Sequence, residues 1–123
     1  MIEISRAQLD MLACWFQPET PGPLVGPHLL RTGVGHAWVD RWPQVQALIV
    51  ETHYNYSMVG DAAALDPQAV AKNVAGFVAA PPTFVPLLER CYPTLVKWPR
   101  LIGLLPDAPI QPAMPSVELR RLE

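Results

Sequence analysis

The chain has 123 residues, 50% of them hydrophobic and only 16% charged, which excludes a disordered polymer and fits one domain with a real core. Its 9 Lys and Arg against 11 Asp and Glu leave a formal charge of −2 with no basic stripe, so no nucleic-acid partner is expected. No apolar run approaches the ~18 residues of a membrane span, the longest being Leu101–Leu105, so no membrane partner is expected either.

Proline is the compositional oddity: 15 residues, where the usual share is about 5%. Many fall within 18–27 and 99–115, which reads as extended connections, because proline fixes φ and removes a backbone donor. The two cysteines, Cys14 and Cys91, lie in apolar helical patterns and read as buried structural thiols. With no signal peptide evident, two thiols fit a reducing cytoplasm.

In chain order, Ser5-Arg6-Ala7-Gln8 has the form of a capping box and predicts a helix over 5–16. Leu9, Leu12, Ala13 and Phe16 then make its buried face, and Pro18 stops it. After a connection broken by Pro and Gly, the pattern from His28 reads as strands. Leu29-Leu30-Arg31 leads through Gly33-Val34-Gly35 into His36–Trp42, and Pro43 ends that strand. Val45 to Met58 reads as one long strand. One of its faces carries Leu48, Val50, Thr52, Tyr54, Tyr56 and Met58, and the other Ile49, Glu51, His53, Asn55 and Ser57. Three consecutive strands predict an antiparallel meander.

Two helices follow. Asp66-Pro67 starts one over 66–79, with Val70, Val74, Phe77 and Val78 inward. Thr83 starts another over 83–92, with Phe84, Leu87, Leu88 and Cys91 inward. Beyond Leu95 the chain alternates short apolar pieces with prolines, until Val117–Leu122 reads as the beginning of a strand. The expected fold is therefore α+β: an antiparallel meander of three or more strands packed with about three helices.

The stretch "RTGVGH", Arg31–His36, raises the possibility of a phosphate-binding glycine loop. Such a loop joins a strand to a helix and aims free N–H groups at the anion. Here the glycines precede "HAWVDRW", a strand pattern. In the acetyltransferase pattern Gln/Arg-x-x-Gly-x-Gly/Ala, Leu30 would fall at the basic position. The glycines are therefore read as a hairpin turn, where they supply positive φ.

His28, His36 and His53 lack metal-ligand spacing, so no metal is expected. Glu51, His53 and Asn55 share one predicted strand face, and a carboxylate beside an imidazole suits proton transfer. With Trp38 they are the candidate ligand-binding residues; the bland alternative is a solvated sheet face. No Gly-x-Ser-x-Gly motif occurs, and no catalytic residue is assigned. Trp38, Trp42, Tyr54 and Tyr56 make the sheet aromatic-rich, which suits packing as readily as ligand stacking.

Five segments together carry a resemblance: "MLACWFQPETPGPLVGPHLL" at 11–30, "HAWVDRWP" at 36–43, "VETHYNYSMVGD" at 50–61, "GFVAAPPTFVPLL" at 76–88 and "YPTLVKWPR" at 92–100. They resemble the amino-terminal region of uncharacterised bacterial proteins of the GCN5-related N-acetyltransferase (GNAT) superfamily. "VELRRL" at 117–122 is similar to the opening strand of an acetyltransferase domain. The resemblance implies an accessory α+β domain over 1–116 and the first strand of a following acetyltransferase domain at 117–123. It implies no acetyl-CoA site in this chain, acetyl-CoA being the cofactor of the full-length protein. Whether the chain is itself an enzyme stays open. The expected role is to shape an acceptor site or to pair subunits, the partner being a following acetyltransferase domain or a second subunit, a homodimer included. The rival is a self-standing small-ligand binding or protein-interaction module built on Glu51, His53, Asn55 and Trp38. A third option is a catalytic fragment using Glu51 and His53.

Overall fold

A computed structural model describes residues 1–16 and 24–100. Ser5 caps the first helix as the sequence predicts. Its Oγ accepts from the Gln8 N–H at 3.2 Å, and the Gln8 side chain accepts from the Ser5 N–H at 2.9 Å. The helix over 5–16 is not continuous, however. Helix α1 covers Arg6–Asp10, and the chain then tightens into a 3-10 turn at Ala13–Phe16. Leu9 and Leu12 are buried, whereas Ala13, predicted inward, is exposed.

A further correction concerns residues 28–32. The predicted first strand is the end of helix α2, Val25–Thr32. Gly33, at φ 70, is its left-handed C-cap, and its N–H donates to the Leu29 carbonyl at 2.8 Å. Pro27 is tolerated because first-turn amides have no helical partner. The glycines therefore supply positive φ as expected, but at a junction from helix to strand.

The meander then forms. Strand β1 (Ile2–Glu3), β2 (His36–Val39), β3 (Ala47–Thr52) and β4 (Asn55–Gly60) pair antiparallel in sheet order, β1-β2-β3-β4. Residues 45–58, predicted as one strand, are two strands joined by a two-residue hairpin. His53 (φ 49) and Tyr54 (φ 63) both have positive φ, the pattern of a type I′ turn. After β4, helix α3 covers Pro67–Asn73, with Asp66 accepting from the Gln68 N–H. The predicted helix over 66–79 stops early. Phe77–Ala79 form strand β5, parallel to β4, at the outer edge of the described sheet. Gly76 permits the switch: a Cβ there would lie 2.2 Å from the Tyr54 carbonyl oxygen. A 3-10 turn at Pro82–Phe84 opens helix α4, Val85–Cys91.

The chain is thus α+β, with a five-stranded, mostly antiparallel sheet and four α-helices among the described residues. The core lies on both faces of the sheet. Ala47, Leu48, Ile49 and Val50 are all fully buried. Leu48, Val50, Ala37 and Val39 pack with Leu9, Leu12 and Leu29 of the α1/α2 layer. Ala47, Ile49, Tyr56 and Met58 pack with Val70, Val74, Phe84, Leu87 and Leu88 of the α3/α4 layer. A continuous apolar run is what a strand covered on both sides requires.

Cys14 is exposed rather than buried, because the 3-10 turn rotates it outward. Cys91 is half-buried, and its thiol donates to the Pro67 carbonyl at 3.2 Å. Burial pushes that thiol's pKa up. Predicted residues 117–123, like the apolar run at 101–105, lie outside the described residues. Among the described residues, no helix is long and apolar enough to cross a membrane.

Candidate functional site

The β3–β4 hairpin decides the fate of the predicted cluster. Antiparallel register pairs Thr52 with Asn55 and Glu51 with Tyr56. Directly paired residues share a face, so Glu51 and Asn55 lie on opposite faces of the sheet. His53 belongs to neither face, because it forms the turn. The groups expected to meet a ligand instead hold that turn. The Glu51 Oε1 accepts from the Tyr54 N–H at 2.9 Å, and the Asn55 amide donates to the His53 carbonyl at 3.1 Å. The His53 Nδ1 is 3.0 Å from the Thr52 Oγ1. A turn with positive φ at two residues and no glycine needs such support, and these three side chains provide it.

Trp38 lies on the neighbouring strand, two residues along from His36, which is the residue paired with Glu51. It pairs with Ile49 in β3 and with Glu3 in β1, on the α3/α4 face. There it stacks on His36 (centroids 5.8 Å) and on Tyr56 (6.4 Å). The exposed His36 Nδ1 lies 2.7 Å from the Glu3 Oε1. The sequence groups Tyr56 with Trp38 in an aromatic-rich sheet, but not Glu3 or His36. The His36-x-Trp38 alternation carried part of that signal, whereas Glu3 arrives by a pairing only the fold supplies. Tyr56 is buried, its hydroxyl donating to the Asn73 carbonyl, so the stack ends in the core. Among the described residues, no group of three or more His, Cys, Asp or Glu side chains could hold a metal.

A second region is set by topology. Strand β4, helix α3 and parallel strand β5 form a strand–helix–strand unit, and the end of the first strand is where such folds take phosphate-bearing ligands. A cleft of about 480 Å³ opens beside this junction, lined by Ala62, Leu65, Pro67, Thr83, Leu87 and Arg90, among others. The local chemistry runs against an anion. Asp61 accepts from the Ala63 N–H at 2.9 Å, and Asp66 accepts from the Gln68 N–H. Pro67, at the first helical position, has no N–H to offer. Gly60 is needed for packing: a Cβ there would lie 2.2 Å from the Gln46 carbonyl oxygen. Asp66 at the N-terminus of α3 and Asp61 at the 3-10 turn before it oppose a pyrophosphate, and among the described residues Arg90 is the one cation lining the cleft.

Asp40 is ionised and structural. Its side chain is only 2% exposed, and Oδ1 accepts from the Gln46 and Ala47 N–H groups at 2.8 Å each. Arg41 Nε donates to Oδ2 at 3.0 Å. Burial alone would raise its pKa; the Ala47, Gln46 and Arg41 hydrogen bonds outweigh that and hold it below the ordinary value of 3.8. The carboxylate thereby pins the connection between β2 and β3.

The chain is 31% identical, over 125 aligned residues, to an uncharacterized N-acetyltransferase in the mutA 5′ region of Streptomyces virginiae. The match takes in 99% of this chain and 52% of that protein, so the chain spans about half the length of its relative. The resemblance to uncharacterised N-acetyltransferases carried by segments 11–30, 36–43, 50–61, 76–88 and 92–100 is borne out. No protein-family model matches the chain, and no solved structure does.

Proposed function

We propose that this chain is the non-catalytic half of an acyl-CoA-dependent N-acetyltransferase, shaping the acceptor site or pairing subunits while acetyl-CoA binds in the other half. The observation that carries this reading is the kinship along 99% of the chain with a protein of about twice its length that bears an N-acetyltransferase name. Supporting it, the strand-to-helix junction after β4 does not fit a coenzyme pyrophosphate, its amides being taken by Asp61 and Asp66. The predicted acid–base pair, Glu51 and His53, is spent on the hairpin. Supplying the acceptor-binding surface rather than the cofactor would leave the domain free to keep an apolar core on both sheet faces. Cytoplasmic location belongs to the same reading.

Calorimetric titration of the 123-residue chain with acetyl-CoA tests it. The expected trace is the heat of dilution alone. Saturable binding with one-to-one stoichiometry would put a cofactor site in this half and refute the assignment. The rival, a self-standing ligand module, draws on the half-exposed Trp38 stacked between His36 and Tyr56 beside Glu3. Trp38 fluorescence that saturates with a small ligand in the absence of any second domain would favour it.

A further inference from the structure

The cleft between the 3-10 turn at Ala62–Ala64 and helix α4 is built like a small-ligand site. Its volume of about 480 Å³ lies within the roughly 300–1,000 Å³ of such sites, which are mostly apolar with a few placed polar groups. Leu65 and Leu87 are buried and form its floor, whereas Thr83, Pro86 and Arg90 are exposed along its rim. Thr83, Leu87 and Arg90 recur at helical spacing and so share one wall. The cation on that wall has no ion-pair partner among the described residues. The ion pairs there are His36–Glu3, Arg41–Asp40 and Lys97–Glu89. Lys97 thus holds Glu89, the acidic neighbour of Arg90 in the sequence, at 2.8 Å.

We propose that this cleft binds an apolar amino acid, with its carboxylate on the Arg90 guanidinium and its side chain against Leu65 and Leu87. A planar guanidinium matches a carboxylate with two parallel N–H···O bonds, and the Thr83 hydroxyl is a further donor on the same wall. The surrounding charge selects the zwitterion. Asp61 and Asp66 are the sequence neighbours of the lining residues Ala62 and Pro67, and each turns Oδ1 to a backbone amide, of Ala63 and Gln68. They repel a pyrophosphate, with its several negative charges, and withdraw the amides it would need. An amino acid is neutral overall: it sets one carboxylate on one guanidinium, and its ammonium is attracted by the two aspartates. The proposal rests on the acceptor-shaping arm of the reading above and names the acceptor class.

Titrating the 15N-labelled chain with phenylalanine reads the site at the Ala62, Leu65, Leu87 and Arg90 amides. Those signals should move saturably at millimolar ligand. Phenylalaninamide, which lacks the carboxylate, and inorganic pyrophosphate should leave them in place. Arg90→Gln should weaken phenylalanine binding at least ~10-fold, and Arg90→Lys, which keeps the charge without the planar fork, by less. Because Arg90 is exposed, both variants should melt with the wild type. Phenylalanine that moves none of the four amides overturns the proposal. So does phenylalaninamide or pyrophosphate that binds at least as tightly as phenylalanine, and so does binding that Arg90→Gln leaves unchanged. Saturable acetyl-CoA binding refutes the reading above, whereas a silent phenylalanine titration refutes only the amino-acid site, so the two fail separately.

Discussion

Replacing Tyr54 with Gly should stabilise the protein. Tyr54 sits at φ 63 with a side chain 74% exposed, so its ring buries little and its backbone is held where a Cβ is unwelcome. The left-handed conformation costs an L-residue about 1–2 kcal/mol, while the extra unfolded-state freedom of glycine returns about 0.5–1 kcal/mol of that. The difference is a net gain of up to about 1.5 kcal/mol, and each kcal/mol moves the melting temperature by about 4 °C in a chain between the small and mid-sized domains. Urea unfolding followed by tryptophan fluorescence would measure it, with Tyr54→Ala as the control. Alanine removes the ring but keeps the strain, so it should remain at or below wild type. Glycine and alanine variants destabilised equally would refute the reasoning, since the ring would then outweigh the backbone.

Three other outcomes follow from the same structure. Because the folded pKa of Asp40 is depressed, its contribution to stability is present above the ordinary value of 3.8 and is lost as pH falls below it. Asp40→Ala should therefore cost about 1–3 kcal/mol at neutral pH and flatten the acid limb of a plot of stability against pH. Phe84, fully buried among Val70, Val74 and Leu88, should cost about 3–5 kcal/mol when cut to Ala, read as a drop in urea midpoint at constant slope. Gly35→Ala should destabilise strongly and shift β2 amides in NMR spectra, since its Cβ would lie 2.0 Å from the Glu51 carbonyl oxygen at φ 133.

What the sequence disclosed, and what it withheld, divides along physical lines. Local caps were legible: Ser5 with Gln8, and Asp66 with Pro67, act through neighbours three residues away or fewer. The stripe Phe84, Leu87, Leu88 was legible because all three pack inward along one 3-10 turn and the helix that continues it. Helix α2 was hidden by Gly26 and Pro27, which discourage a helix on paper. In place, Gly26 lies against the Phe16 ring, which a Cβ would approach to 2.2 Å unless the ring shifted. Strand β5 was hidden because Phe77 and Val78 extend the helical spacing of Val70 and Val74, although α3 ends at Asn73 and Phe77 bonds to Tyr54 across the sheet. The hairpin was hidden because His53-Tyr54 replaces the glycine that marks such turns. Missing that turn inverted the face assignment beyond it. Glu51 and Asn55, together on paper, are separated by the thickness of the sheet, and their polar atoms serve the turn.

The claim on which the functional reading turns is that the Gln68 amide at the start of α3 is closed to a coenzyme by Asp66, and the Ala63 amide in the 3-10 turn before it by Asp61. Titrating the 15N-labelled chain with acetyl-CoA while following the Ala63, Gln68 and Ala69 amides tests it at the atoms concerned. Those resonances should stay in place up to millimolar coenzyme. Saturable displacement of those three signals would contradict it.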